Sequence, residues 1–290
     1  PDAGEARKED PRPGGGHSPE GIARPGVPSA LIGPVEQAYG RPPARDLALL
    51  AVVVVAVSTS APISAVTLAP ALAIALWRSV LGAGFTAPWV LVRRRAELLR
   101  LTRREWLLGL AAGLLLGAHF ATWVPSLRFT SVAASTALVA TQPIWTALIA
   151  RARGTHIPGR AWVGMGVAMA GVLVLTGVDF SLDPRSLIGD GLALAGAVLA
   201  AAYVTTGETI RRTVSTSTYT LIAYSASTAL LLVVCLATGA DLWSYPASAW
   251  AWILALTLGA QLLGHTIANR ILATTSATVL SLAILFEMPG

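Results

Sequence analysis

From residue 46 onward, apolar residues run in long stretches broken by short polar, glycine and proline punctuation. Nine segments stand out, at roughly 47–67, 71–92, 106–126, 130–150, 161–178, 188–209, 218–238, 249–268 and 271–290. Each is close to the ~20 residues a helix needs to cross a bilayer. Core helices of a large soluble protein would need charged outer faces, and these segments have almost none. The pattern therefore predicts an all-α, polytopic membrane helix bundle. Residues 1–45, typified by PRPGGGHSPEG, are rich in Pro, Gly and charge, which predicts a disordered tail. No short apolar core with a small-residue cleavage site occurs there, so no removable signal peptide is expected and the first segment acts as the insertion signal.

Composition narrows the picture. The chain has 290 residues, of which 54% are hydrophobic and 12% charged, with mean hydropathy +0.65. A soluble domain carries about 25% charged residues. The net charge of +6 could suggest nucleic acid, but the arginines fall between the hydrophobic runs rather than on one soluble face. The single cysteine, Cys235, lies inside an apolar run and supports neither a disulfide framework nor a metal site.

Arginine placement sets the orientation. With the N-terminus cytoplasmic, the inner connections hold Arg41, Arg45, Arg93, Arg94, Arg95, Arg100, Arg103, Arg104, Arg151, Arg153, Arg160, Arg211, Arg212 and Arg270, while the outer ones hold Arg128 and Arg185. Positive residues favour the cytoplasmic side, so the N-terminus is expected inside a cytoplasmic membrane. Trp89, Trp106, Trp162, Tyr219, Trp243 and Trp250 sit at segment ends, where interfacial aromatics collect.

An internal repeat organises the bundle. Leu115–Pro143 and Leu262–Gly290 both read Leu-Leu-Gly, His, a short break, Thr-Ser, an Ala/Val/Leu run and a polar residue close before Pro. At a shift of 145, Leu127 meets Leu272, Thr130 meets Thr275, Ser131 meets Ser276 and Gln142 meets Glu287; at 146, His119 meets His265 and Pro143 meets Pro289. A shift of this size places segment 1 on segment 6 and segment 4 on segment 9. The unit is five helices, and an odd count turns the second unit upside down, the arrangement of many carriers. The expected division is a tail at 1–45, a first repeat at 46–180 and a second at 181–290. Ten helices are expected and about nine are present. The chain starts at Pro1 and stops at Gly290 inside an apolar run, so both ends look cut, and one helix face should lie bare where a tenth helix belongs.

The pattern SLRFTSVAASTALVATQPIWTALIA in segment 4, GHTIANRILATTSATVLSLAILFEMPG in segments 8 and 9, and the Trp77-Arg78 pair resemble the EamA-type transporters of the drug/metabolite transporter superfamily. The resemblance spans roughly residues 46–290. It implies ten helices in two inverted halves and carriage of small metabolites of very different kinds. Met288, between Glu287 and Pro289, departs from the Glu-Pro that many members carry.

Polar groups inside a bilayer are costly and usually face the bundle interior or a cavity. The expected cavity is walled by segments 1, 3, 4, 6, 8 and 9, with Ser58, Ser60, Arg78, His119, Gln142, Trp145, Tyr203, His265 and Glu287 as candidate lining. His119 could bond substrate, relay a proton or simply bond a neighbouring helix. Gln142 beside Pro143 suits a polar wall or an interhelical hydrogen bond. Arg78 could meet an anionic substrate group, pair with Glu287 or snorkel to the outer surface. His265 and Asn269 lie toward the inner end of segment 8, at an inner mouth or in interfacial hydrogen bonds. Glu208, next to Arg211 and Arg212, suits a surface ion pair. Gly109, Gly113 and Gly117 form a flat stripe for close helix packing, which should bring His119 near a facing helix.

Other chemistries are missing from the sequence. It has no GxxxxGK[ST] loop, no HExxH or Cys/His cluster and no Ser/His/Asp grouping in a loop. No catalytic residue, metal or cofactor is expected. The reading is a secondary transporter of a small organic metabolite, with the bilayer, the substrate and protons as partners, no nucleic acid, and a homodimer as one option for assembly. The rival readings are a membrane-integral enzyme and a non-transporting scaffold or sensor.

Overall fold

The computed structural model describes residues 44–176 and 183–287, with the side chains of Leu175, Thr176 and Glu287 outside that description. The tail up to residue 43, Asp179 and Met288–Pro289 also lie outside the described residues. Among the described residues every regular element is a helix. In chain order these are α1 (Ala44–Ser58), α2 (Ser60–Val66), α3 (Ala71–Arg93), α4 (Arg95–Arg100), α5 (Arg103–Ser126), α6 (Val132–Val139), α7 (Gln142–Ala152), α8 (Gly159–Thr176), α9 (Pro184–Ile210), α10 (Thr216–Thr238), α11 (Ala247–Leu256), a π-helix (Thr257–Thr266), α12 (Ile267–Ile271), α13 (Ala277–Ile284) and a 3₁₀ turn (Leu285–Glu287).

Among the described residues, seven helical stretches are long and apolar enough to cross a membrane. They match segments 1–4 and 6–8. Segment 5 is a shorter apolar helix, Gly159–Val174. Segment 9 begins at Ala277 rather than residue 271, because Leu272–Thr275 form a turn and Ser276 caps α13 by accepting from Val279 N–H at 3.3 Å. Ser131 caps α6 in the same way, accepting from Ala134 N–H at 3.0 Å. The repeated Thr-Ser pairs are thus helix starts, each Ser side chain satisfying a backbone donor that no helical carbonyl can reach.

Three membrane segments are broken, for legible reasons. Pro143 cannot donate to the carbonyl four residues back, and segment 4 splits at Ala140–Thr141. Pro62 does the same in segment 1, which splits at Thr59. In segment 8 the Tyr224 hydroxyl donates to the Gln261 carbonyl at 2.9 Å. That outside donor sits where the chain widens into the π-helix, a common cause of ladder irregularity.

Packing is tightest between α5 and α9, between α5 and α10, and between α3 and α10. Lipid offers no hydrophobic drive to hold helices together, so close backbone approach has to supply the contact energy. The glycine stripe does this against α10. A Cβ on Gly113 would lie 2.5 Å from the Ala223 carbonyl, and one on Gly117 would lie 3.1 Å from Ser227 Cα. His119 faces a different helix from the stripe: its Nδ1 is 2.8 Å from the Gly196 carbonyl on α9.

The two ends of the bundle differ. At one end, Arg45, Arg94, Arg211 and Arg270 surround a common recess. There Glu97 on α4 accepts from the Ser215 N–H (2.6 Å), the Ser215 hydroxyl (2.6 Å) and the Thr218 hydroxyl (3.0 Å), tying the 2–3 connection to the start of α10. Partial burial pushes the Glu97 carboxyl upward, but these hydrogen bonds and the Arg94 charge outweigh it and hold it below the usual range. Glu208 pairs with Arg212 at 3.2 Å, as its spacing suggested, and also accepts from Ala277 N–H at the start of α13. At the opposite end, Arg128 donates to the carbonyls of Ala65 (2.9 Å) and Thr67 (2.7 Å), and Trp77 packs edge-on to Trp243 and Trp250.

Candidate functional site

The broken helices meet around a small central cavity of about 80 Å³. At about 10–15 Å³ per water it has room for roughly half a dozen. Its walls come from segments 1, 3, 4, 6, 8 and 9. Each break turns a polar residue inward that a straight apolar helix would leave packed. Ser58 and Ser60 flank the break in segment 1, Gln142 follows the one in segment 4, and His265 lies in the π-helix.

Six of the nine residues singled out from sequence line this cavity: Ser58, Ser60, His119, Gln142, Tyr203 and His265. Three do not. Trp145 stays on α7 with its indole N–H donated to Thr141 Oγ1 at 3.1 Å. Glu287 closes the final 3₁₀ turn, and its side chain lies outside the described residues. Arg78 sits one layer behind the wall. It is fully buried, so the snorkelling alternative fails: α3 carries it into the bundle, not toward the outer surface. Its Nε donates to Gln261 Oε1 (3.0 Å) and its Nη1 to Ser60 Oγ (3.2 Å), while the guanidinium lies 4.3 Å over the Phe120 ring. No carboxylate pairs with it among the described residues.

The polar lining is partly paired. Gln142 donates to Ser281 Oγ at 3.0 Å, and the Tyr203 hydroxyl donates to Asn269 Oδ1 at 2.8 Å. Trp123 also lines the wall; its Nε1 and Asn269 Nδ2 are buried and have no acceptor among the described residues. Both orphans are donors. A buried donor without a partner costs roughly 1–3 kcal/mol. The π-helix and α12 turn Gly264, His265, Ala268 and Asn269 toward the cavity and Thr266, Ile267 and Arg270 toward the arginine-rich recess, so this stretch separates the two.

Sequence reasoning passed over Gln261, Trp123 and Ser281. Gln261 was within reach of the argument used for Gln142, since it is a lone amide in the apolar run ALTLGAQLLGHT. Ser281 and Trp123 carried no such signal.

Comparison with curated proteins returns no match. A solved structure titled "Crystal structure of protein" is 20% identical, covers 85% of each chain and superposes with a TM-score of 0.65, so the two share a fold. The model of the EamA-like transporter family matches residues 46–177, which include the first break, Arg78, His119 and the Gln142-Pro143 break. Over those residues this multi-pass membrane protein matches the EamA-like transporter family of the drug/metabolite transporter superfamily.

Proposed function

We propose that the chain is a secondary carrier for a small organic metabolite, held in the central cavity and passed between the two sides of a cytoplasmic membrane. The observation that carries this reading is the cavity itself, at the meeting of three broken helices, mostly apolar with a few polar side chains. Interrupted helices at membrane depth are tolerated where they are buried in protein or line a cavity. The substrate should combine an apolar body with a few hydrogen-bonding groups, because the wall is mostly apolar with the polar side chains of Ser58, His119, Gln142, Tyr203 and His265. The positive Arg78 behind Ser60 adds a preference for an electron-rich or anionic group.

The packing pairs support two inverted five-helix halves. Segment 1 packs on the π-helix of segment 8, and segment 3 packs on segment 6. Exchanging the halves turns each pair into the other. The pairs of segments 2 and 7 and of segments 4 and 9 map onto themselves. The proposed orientation puts the arginine-rich end in the cytoplasm. Single cysteines in the Arg93–Arg104 connection should resist an impermeant thiol reagent in intact cells, and cysteines in the 179–190 connection should react. The reverse labelling would overturn the orientation.

Transport is tested by counterflow in proteoliposomes loaded with a labelled pool of amino acids, organic acids and nucleosides. Gln142→Leu preserves bulk and removes one cavity hydrogen bond. It should cut flux roughly tenfold, the factor corresponding to about 1.4 kcal/mol, with folded yield unchanged. Wild-type flux that matches empty liposomes, or flux indifferent to both Gln142→Leu and His265→Leu, would remove the carrier reading. Product turnover without flux would favour the enzyme reading instead. An imposed pH gradient in the same assay tests proton coupling, which should drive accumulation and vanish with Glu287→Gln.

A further inference from the structure

The recess at the arginine-rich end is separate from the central cavity and wider, at about 710 Å³. Arg211 lies in its wall, only 7% exposed. Its Nε donates to the Asn269 carbonyl (2.8 Å) and its Nη2 to Thr216 Oγ1 (2.7 Å). Its Nη1 is cut off from solvent and meets no acceptor among the described residues. Arg45, Arg94 and Arg270 line the same recess and are exposed. One lining carboxylate, Asp46, faces these four guanidiniums, and it already accepts from the Thr274 hydroxyl at 2.6 Å. Glu97, just outside the lining, is engaged by Ser215 and Thr218 and lies 4.0 Å from Arg94 Nη1.

We propose that this recess binds a phosphate oxyanion, presented either by the headgroup of an anionic phospholipid or by a soluble phosphate ester. The exposed guanidiniums of Arg45, Arg94 and Arg270 can each give a phosphate oxygen a charge-assisted hydrogen bond. Arginine's planar fork suits phosphate, and several forks around one volume can engage several oxygens at once, which a two-oxygen carboxylate cannot match. The Thr216 and Ser217 side chains of the wall add hydroxyls. Phe85 and Trp89 line the same recess and are 50% and 57% exposed on the outside of α3. They offer an apolar shelf beside the charge, where the glycerol and upper acyl carbons of a lipid would rest. The site lies across α12 from the central cavity, so it stands independently of the transport reading.

The test uses the purified full-length protein in a non-ionic detergent at fixed low ionic strength. Thermal unfolding is followed by tryptophan fluorescence with three probes: inorganic phosphate, short-chain phosphatidylglycerol, and the matching diacylglycerol without phosphate. A saturable rise in Tm is expected with a phosphate-bearing probe and not with the diacylglycerol. Arg45→Gln combined with Arg270→Gln alters two exposed side chains and should weaken the apparent affinity about tenfold. A rise with phosphatidylglycerol alone identifies a lipid headgroup; a comparable rise with inorganic phosphate identifies a soluble anion. No rise with either, an equal rise with diacylglycerol, or an affinity unchanged in the double variant would each overturn the proposal.

Discussion

Gly113→Ala should destabilise the folded bundle by about 1–3 kcal/mol, although it adds one methyl group and raises helix propensity. The new Cβ would sit 2.5 Å from the Ala223 carbonyl oxygen, 2.6 Å from Ala226 Cβ and 2.9 Å from Ala223 Cα. Two of these three atoms are backbone, so no side chain can rotate away and α5 must separate from α10. Separation loses the dispersion contacts that hold helices together in lipid. Gly84→Ala is the control, because a Cβ there meets nothing within 4 Å. It should leave stability unchanged or slightly higher, as expected for Gly→Ala in a helix interior. Unfolding of both variants in mixed micelles measures the difference. Equal stability of Gly113→Ala and wild type would show that the α5–α10 contact is looser than described.

Arg78→Met should leave the fold intact or stabilise it, while lowering flux by roughly ten- to a hundredfold. Two costs decide the sign for stability. Losing the guanidinium leaves Gln261 Oε1 without its donor, at about 1–3 kcal/mol. Keeping it means holding a desolvated cation with no carboxylate beside it among the described residues, a penalty of several kcal/mol. The second exceeds the first, and methionine fills much of the space under Phe120. Under the proposed carrier reading, the charge acts on the substrate through Ser60 on the cavity wall. Thermal unfolding and counterflow on the same preparation separate the two effects. A collapse of folded yield would mean that Arg78 is a structural cation, and full flux would mean that its charge does not reach the substrate.

The cavity lining was legible to different depths. His119, Gln142, Tyr203 and His265 were visible as polar residues in apolar runs, because burying such groups in lipid is too costly to be incidental. Trp145 looked equivalent to them from its place beside Pro143. It falls away from the cavity because α7 restarts at Gln142 and its indole finds a nearer acceptor in Thr141. Arg78 was legible as an intramembrane charge, but its partners lie 183 and 18 positions away, Gln261 and Ser60, beyond the reach of local pattern.

The sequence by itself determined the class of protein, the approximate membrane segments, the connections in which the arginines gather and the close-packing stripe on α5. These follow from local physics: hydrocarbon thickness, the cost of charge in lipid and the close approach that small residues allow. The tertiary structure alone decided which helix the glycines meet, that Tyr224 reaches the Gln261 carbonyl where segment 8 widens, that Arg78 turns inward onto Phe120, and that Arg211 is left with a free N–H beside three other arginines. Each depends on a contact between residues far apart in the chain, and nothing in the local pattern carries that distance.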